Sequence, residues 1–141
     1  MIGVYIFYNL VYAICSYPAG ILADKLGMKK VLVYGIFIYA MVYSGMAFAK
    51  QGVLFFLLFF LYGMYAAATE GVAKAWISNI CEREKTATAI GTYTAFQSVA
   101  TLLASSMAGL IWYTAGASYA FMLSALAAVV VGLMILRIRS R

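Results

Sequence analysis

Apolar side chains run almost unbroken along this chain, and charged ones interrupt them only in short clusters. Uncharged stretches extend from Met1 to Ala23, Val31 to Ala49, Gln51 to Thr69 and Thr86 to Leu136. A bilayer-spanning helix needs about 20 apolar residues, each adding ~1.5 Å of rise, so every stretch is long enough to cross. The last is too long for one crossing, and the run Trp112-Tyr113-Thr114-Ala115-Gly116-Ala117-Ser118 supplies its break. The pattern predicts an all-α integral membrane protein with five transmembrane helices, over about 2–23, 30–49, 53–80, 86–112 and 118–136. The third is long enough that it must tilt or project from the hydrocarbon.

Polar positions within these helices form stripes. Tyr5, Asn9, Tyr12 and Ser16 recur at helical spacing on the first, and Thr94, Ser98, Thr101 and Ser105 do so on the fourth, with Gln97 beside them. The third presents Gly63, Ala66, Ala67 and Glu70 on a narrow small-residue face, with Lys74 one turn on. The second and fifth carry little polarity at their centres. Helices one, three and four are therefore expected to face protein or water, and two and five to face lipid. Close helix packing alone accounts for small and hydroxyl-bearing faces equally well. Pro18 removes a backbone donor inside the first helix, where a bend is expected. Trp112, Tyr113 and Tyr119 bracket the outer break as an interfacial aromatic belt.

Composition agrees: 67% of the 141 residues are hydrophobic and 10% charged, and the mean hydropathy is +0.98. The formal charge of +6 raises the question of nucleic acid, but the placement of the cations answers it. Lys25, Lys29, Lys30, Arg83, Lys85, Arg137, Arg139 and Arg141 follow the first, third and fifth helices, while Lys50 stands alone on the other side. This positive-inside asymmetry puts the C-terminus in the cytoplasm and, with five spans, the N-terminus outside. No basic, aromatic-interleaved surface for nucleic acid exists. Cys15 and Cys81 are far apart in sequence and His is absent, so haem, zinc and His-based catalysis have no evident ligands or players. No cofactor and no enzymatic activity are expected.

Glu70 and Lys74 are the exception to the apolar rule. Placing each in hydrocarbon costs several kcal/mol, on the order of magnitude, unless they pair or face a wet cavity. Their i, i+4 spacing, with Glu N-terminal, favours pairing. Two roles fit: a switchable pair on a transport path, or a static pair that locks helices together.

Between the first two helices the chain reads Gly20-Ile21-Leu22-Ala23-Asp24-Lys25-Leu26-Gly27-Met28-Lys29-Lys30. This resembles the cytoplasmic loop motif of the major facilitator superfamily, with Gly20, Asp24, Lys25, Gly27, Lys29 and Lys30 matching and Met28 standing where a cation is usual. Gly27 suits the positive φ of a tight reversal. The run Tyr65-Ala66-Ala67-Ala68-Thr69-Glu70-Gly71-Val72-Ala73-Lys74 resembles that family's tenth helix, and the charged turn from Ile80 to Gly91 resembles the loop before its fifth or eleventh. The resemblance implies five helices of a twelve-helix secondary transporter in the cell's inner (plasma) membrane: helices two to six fit the topology equally well, and the likeness to the tenth helix favours eight to twelve. It also implies that the chain is a fragment, whose partners are the bilayer, a preceding helix and the N-terminal half. A substrate or proton path would then run past Glu70, Lys74, Asn9, Tyr12, Tyr65, Thr94 and Gln97, with small-molecule substrate, direction and coupling ion undetermined. The competing readings are a self-contained homo-oligomeric small exporter and a non-transporting assembly subunit.

Overall fold

A computed structural model describes residues 2–48 and 52–137. Lys50 of the outer side, and Arg139 and Arg141 of the basic tail, lie outside the described residues. Five helices form: α1 (Ile2–Leu26), α2 (Met28–Phe48), α3 (Gly52–Ile80), α4 (Thr86–Ala115) and α5 (Ala117–Arg137), with a single 3-10 turn at Arg83–Lys85. All five are long and apolar enough to cross a membrane.

The breaks are tighter than the sequence pattern indicates. Gly27 alone separates α1 from α2, and Gly116 alone separates α4 from α5, at φ of +94° and +99°. Left-handed backbone of this kind is open to glycine and strained for other residues. Trp112 and Tyr113 therefore stay helical, and the helix ends where Gly116 N–H donates back to the Trp112 carbonyl at 3.0 Å. α1 likewise runs without interruption through Pro18.

α2 leaves only one side, with Tyr34, Met41 and Phe48, open to lipid. It is the central helix, packed on α3 along one side and α5 along another, while α1 packs on α3. Val31, Val33, Gly35, Ala40 and Val42 are its buried residues. The physical reason is that helices in a bilayer associate through close backbone approach, which small residues permit without any polar group. A methyl built on Gly35 would lie 2.7 Å from Thr69 Cγ2, and one on Gly45 would lie 2.7 Å from Leu58 Cδ2. α5 follows the expectation in part: Ala120, Ala125 and Gly132 are buried, and Leu123, Leu126, Val130 and Leu133 remain exposed. No residue of α4 is buried within these five helices.

Both ends of the bundle are pinned. At one end Lys29 Nζ donates to the Leu136 carbonyl at 3.4 Å, where a cation meets the negative end of the α5 dipole. Asn79 Nδ2 of α3 lies 3.7 Å from Met28 Sδ at the same end. Met28 also packs against Ala23, Val31 and Val72, so its departure from the loop pattern fills an apolar seam between three helices. At the other end Ser118 Oγ donates to the Ala47 carbonyl at 3.0 Å. The Lys29 turn and the end of α5 therefore share one face of the bundle.

Candidate functional site

The small-residue face of α3 is used for contact with α1. Gly63, Ala66 and Ala67 are buried, and a Cβ on Gly63 would meet Val11 Cγ1 at 2.8 Å and the Tyr8 carbonyl at 3.3 Å. This close approach leaves Glu70, one turn further, on the rim of the α1–α3 seam instead of inside it.

Glu70 and Lys74 do not pair. Among the described residues the one ion pair is Glu82–Lys85, at 2.7 Å. Both side chains of the expected pair are exposed on this bundle. The premise of burial fails, and with it the force that would drive them together: an exposed i, i+4 pair is worth only about 0.3–0.5 kcal/mol, easily given up to side-chain freedom. The Glu70 carboxylate lies instead within electrostatic reach of the hydroxyls of Tyr8 and Tyr12 on α1.

On its other side Glu70 lines a cavity of about 540 Å³ between α2, α3 and α4. Tyr65, Thr69, Trp76, Tyr93 and Gln97 share the lining with it, against apolar walls that include Leu32 and Ile36. The cavity exists because α4 meets α3 and α5 but stands off from α2. Thr69 holds its place by donating to the Tyr65 carbonyl at 2.8 Å. Ionisable or polar groups set on apolar, aromatic walls of this size are the usual composition of a small-molecule site.

The remaining expected residues divide. Tyr65 and Gln97 join Glu70 in the cavity, and Tyr12 touches its electrostatic field from the α1 side. Asn9 is exposed, with its amide donating to the Tyr5 carbonyl at 2.8 Å, and is not part of this cavity. Thr94 donates to the Ile90 carbonyl at 2.8 Å and lies outside the lining, as does Lys74. Ser98, Thr101 and Ser105 line a separate groove along α4, which Gln97 also reaches. At the loop, Gly20 and Asp24 line a groove of about 320 Å³ between α1 and α3. Lys25 and Lys30 are exposed beside Gly27.

Sequence reasoning missed the aromatic column behind the cavity. Tyr8 and Tyr62 have ring centroids 5.3 Å apart, Tyr62 and Tyr65 5.5 Å, Tyr65 and Tyr39 4.8 Å, and Tyr39 and Tyr43 4.0 Å. It threads α1, α3 and α2 and reaches α5 through the Tyr43–Phe121 contact at 5.6 Å. The signal was the i, i+4 pair Tyr39 and Tyr43 on a helix otherwise treated as a lipid-facing wall. Trp76 also lines the cavity beside Glu70.

Comparison with known proteins adds two findings. The profile of the Major Facilitator Superfamily matches residues 1–141. An uncharacterized MFS-type transporter of Methanocaldococcus jannaschii is 36% identical over 135 residues, covering 96% of this chain and 34% of that protein. The chain thus spans about a third of the length of the curated relative it matches.

Proposed function

The chain belongs to the major facilitator superfamily, and from that premise we propose that it forms helices eight to twelve of a secondary carrier that moves a small solute past Glu70. It is a multi-pass membrane protein, with five helices able to span a bilayer. In this reading the membrane is the cell's inner (plasma) membrane, and the Lys29 turn and the C-terminus face the cytoplasm. The remaining helices dock on α1 and α4, whose outward faces are largely uncovered. Catalysis of a covalent reaction has no part in it.

The observation that carries the reading is the position of Glu70. A carboxylate is held on an apolar, aromatic cavity with Tyr65, Tyr93 and Gln97, and no cation is paired with it among the described residues. Rocking of the carrier's halves would expose this carboxylate to each side in turn, where it takes up and releases a proton or a cationic group. Lys74 tunes the local field from one turn away without contacting it.

Accessibility tests this without knowledge of the substrate. Glu70→Cys in a cysteine-free background is expected to react with membrane-impermeant thiol reagents added from either face of the membrane. Reaction from one face only, or from neither, would mean a static anchor and would overturn the carrier role for this residue. Glu70→Gln is expected to abolish the pH dependence of transport in the complete carrier.

A further inference from the structure

α1 and α3 meet closely at one level and stand apart at the next. At Gly63 a Cβ would lie 2.8 Å from Val11 Cγ1. Nearer the Lys29 turn the seam widens into a cleft of about 320 Å³, lined by Ser16 and Gly20 of α1 and by Ala67, Gly71 and Ala75 of α3. A Cβ on Gly20 or Gly71 would meet nothing within 4 Å. Yet the sequence prepares both sides for contact. Ser16 and Gly20 on one helix, and Gly63, Ala67, Gly71 and Ala75 on the other, recur at every fourth residue. In hydrocarbon, small-residue faces of this kind let two backbones close together under dispersion alone. Something must hold the Lys29 end of the seam open.

Met28 is placed to do so. It is the first residue of α2, and Gly27 alone separates it from α1. The Gly27 carbonyl accepts the Lys30 and Val31 N–H groups at 3.1 and 3.3 Å, which fixes the turn. The Met28 side chain packs on the cluster of Ala23, Val31 and Val72, drawn from α1, α2 and α3, and also lines the cleft. Its sulfur lies 3.7 Å from Asn79 Nδ2 on α3, a tie to a weak acceptor. An unbranched thioether with three rotatable bonds fills an irregular gap and leaves it again more readily than a branched or aromatic side chain.

We propose that Met28 is a removable wedge between α1 and α3. With the side chain inserted, the Lys29 end of the seam stays open; with it withdrawn, Gly20 closes on Gly71 about the Val11–Gly63 contact as pivot. Glu70 immediately precedes Gly71, and Tyr12 lies one turn before Ser16, so closure shifts the two helices on either side of the Glu70 carboxylate. Met28 is thus a positioning residue for Glu70, and the use of that motion rests on the reading of Glu70 as part of a transport path.

Disulfide trapping reads the seam directly, because two cysteines bridge only when their Cα atoms lie about 4.4–6.8 Å apart. Gly20→Cys/Gly71→Cys is made in the complete protein freed of its other cysteines, and oxidised in membranes with copper phenanthroline. Trapping is expected to be slow with Met28 in place, severalfold faster in Met28→Ala, and slower still in Met28→Phe, whose rigid ring withdraws less easily. Thermal unfolding checks the same closure. Gly20→Ala is expected to leave the Tm of the parent unchanged or raised and to lower that of Met28→Ala, where the space has closed. If Met28→Ala folds poorly, the slower trapping of Met28→Phe still decides. Equal rates in all three would mean that lipid or another helix fills the cleft, and faster trapping in both variants would mean a loosened bundle; either overturns the wedge. If Glu70→Cys is reached from both faces while trapping ignores residue 28, the carrier stands and the wedge falls. Trapping as expected with labelling from one face only would uphold the wedge and remove the carrier role.

Discussion

Gly63 is where α1 and α3 come closest, and replacing it measures how much of the bundle depends on that approach. A Cβ added there would lie 2.8 Å from Val11 Cγ1 and 3.0 Å from Val11 Cβ. Carbon atoms prefer about 3.5–4.0 Å, so the nearest contact is short by about 0.7–1.2 Å. Rotating Val11 about χ1 moves Cγ1 aside but leaves Cβ in place. The Tyr8 carbonyl at 3.3 Å belongs to the backbone and cannot yield by itself. The helices must therefore separate along the seam, with an expected loss of about 1–3 kcal/mol, typical of overpacking a well-packed site. Thermal or detergent-titration unfolding of the purified protein reads this directly. Val11→Ala removes Cγ1 and keeps Cβ, so the double variant Gly63→Ala/Val11→Ala should recover part of the loss. A coupling of about 0.5 kcal/mol or more between the two positions is expected for residues in contact. Were Gly63→Ala as stable as the parent, or the two effects simply additive, the close α1–α3 approach would be wrong.

Gly45→Ala offers the contrast: its nearest neighbour is the mobile end of Leu58, at 2.7 Å, so unfolding should shift by less than about 1 kcal/mol; a loss as large as that of Gly63→Ala would contradict the difference drawn between them. Gly27→Ala meets no atom within 4 Å and suffers only from its φ of +94°, a strain of about 1–3 kcal/mol, and Gly27→Asn should be milder in the same assay. For topology, Lys30→Cys and the native Cys81 should react with an impermeant thiol reagent from the same face of the membrane; opposite faces would dismantle the arrangement of α1–α3.

Much of this fold is legible in the sequence because the bilayer imposes one demand at a time. Runs without charge must be helices, and Gly27 and Gly116 fall where the runs must reverse. The order of packing is less legible. α2 has few polar atoms near its middle, which invites a lipid-facing assignment, yet Gly35 and Gly45 bring it against α3. Polarity reports what a helix face tolerates, whereas side-chain volume reports how near a neighbour can come, and the second decides contact in hydrocarbon. Glu70 shows the same division. Its type and spacing mark it as consequential, but the supposed pairing with Lys74 assumed burial, and burial is a property of the assembled neighbours. Tyr65 and Gln97 were found through the family resemblance and the α4 stripe. Trp76 carries no such signal, because a tryptophan near a helix end reads first as an interfacial anchor.

The hydroxyl groups of α4 have a consequence of their own. Thr92, Thr94, Ser98, Ser105, Ser106 and Thr114 each donate to a carbonyl three or four residues earlier in the same helix. Their bonds travel with the helix. None of these bonds ties α4 to a neighbouring helix, so a shift of α4 against α3 would sever none of them. The α4 wall of the cavity is thus set by packing against α3 and α5 and not by hydroxyl bonds between helices.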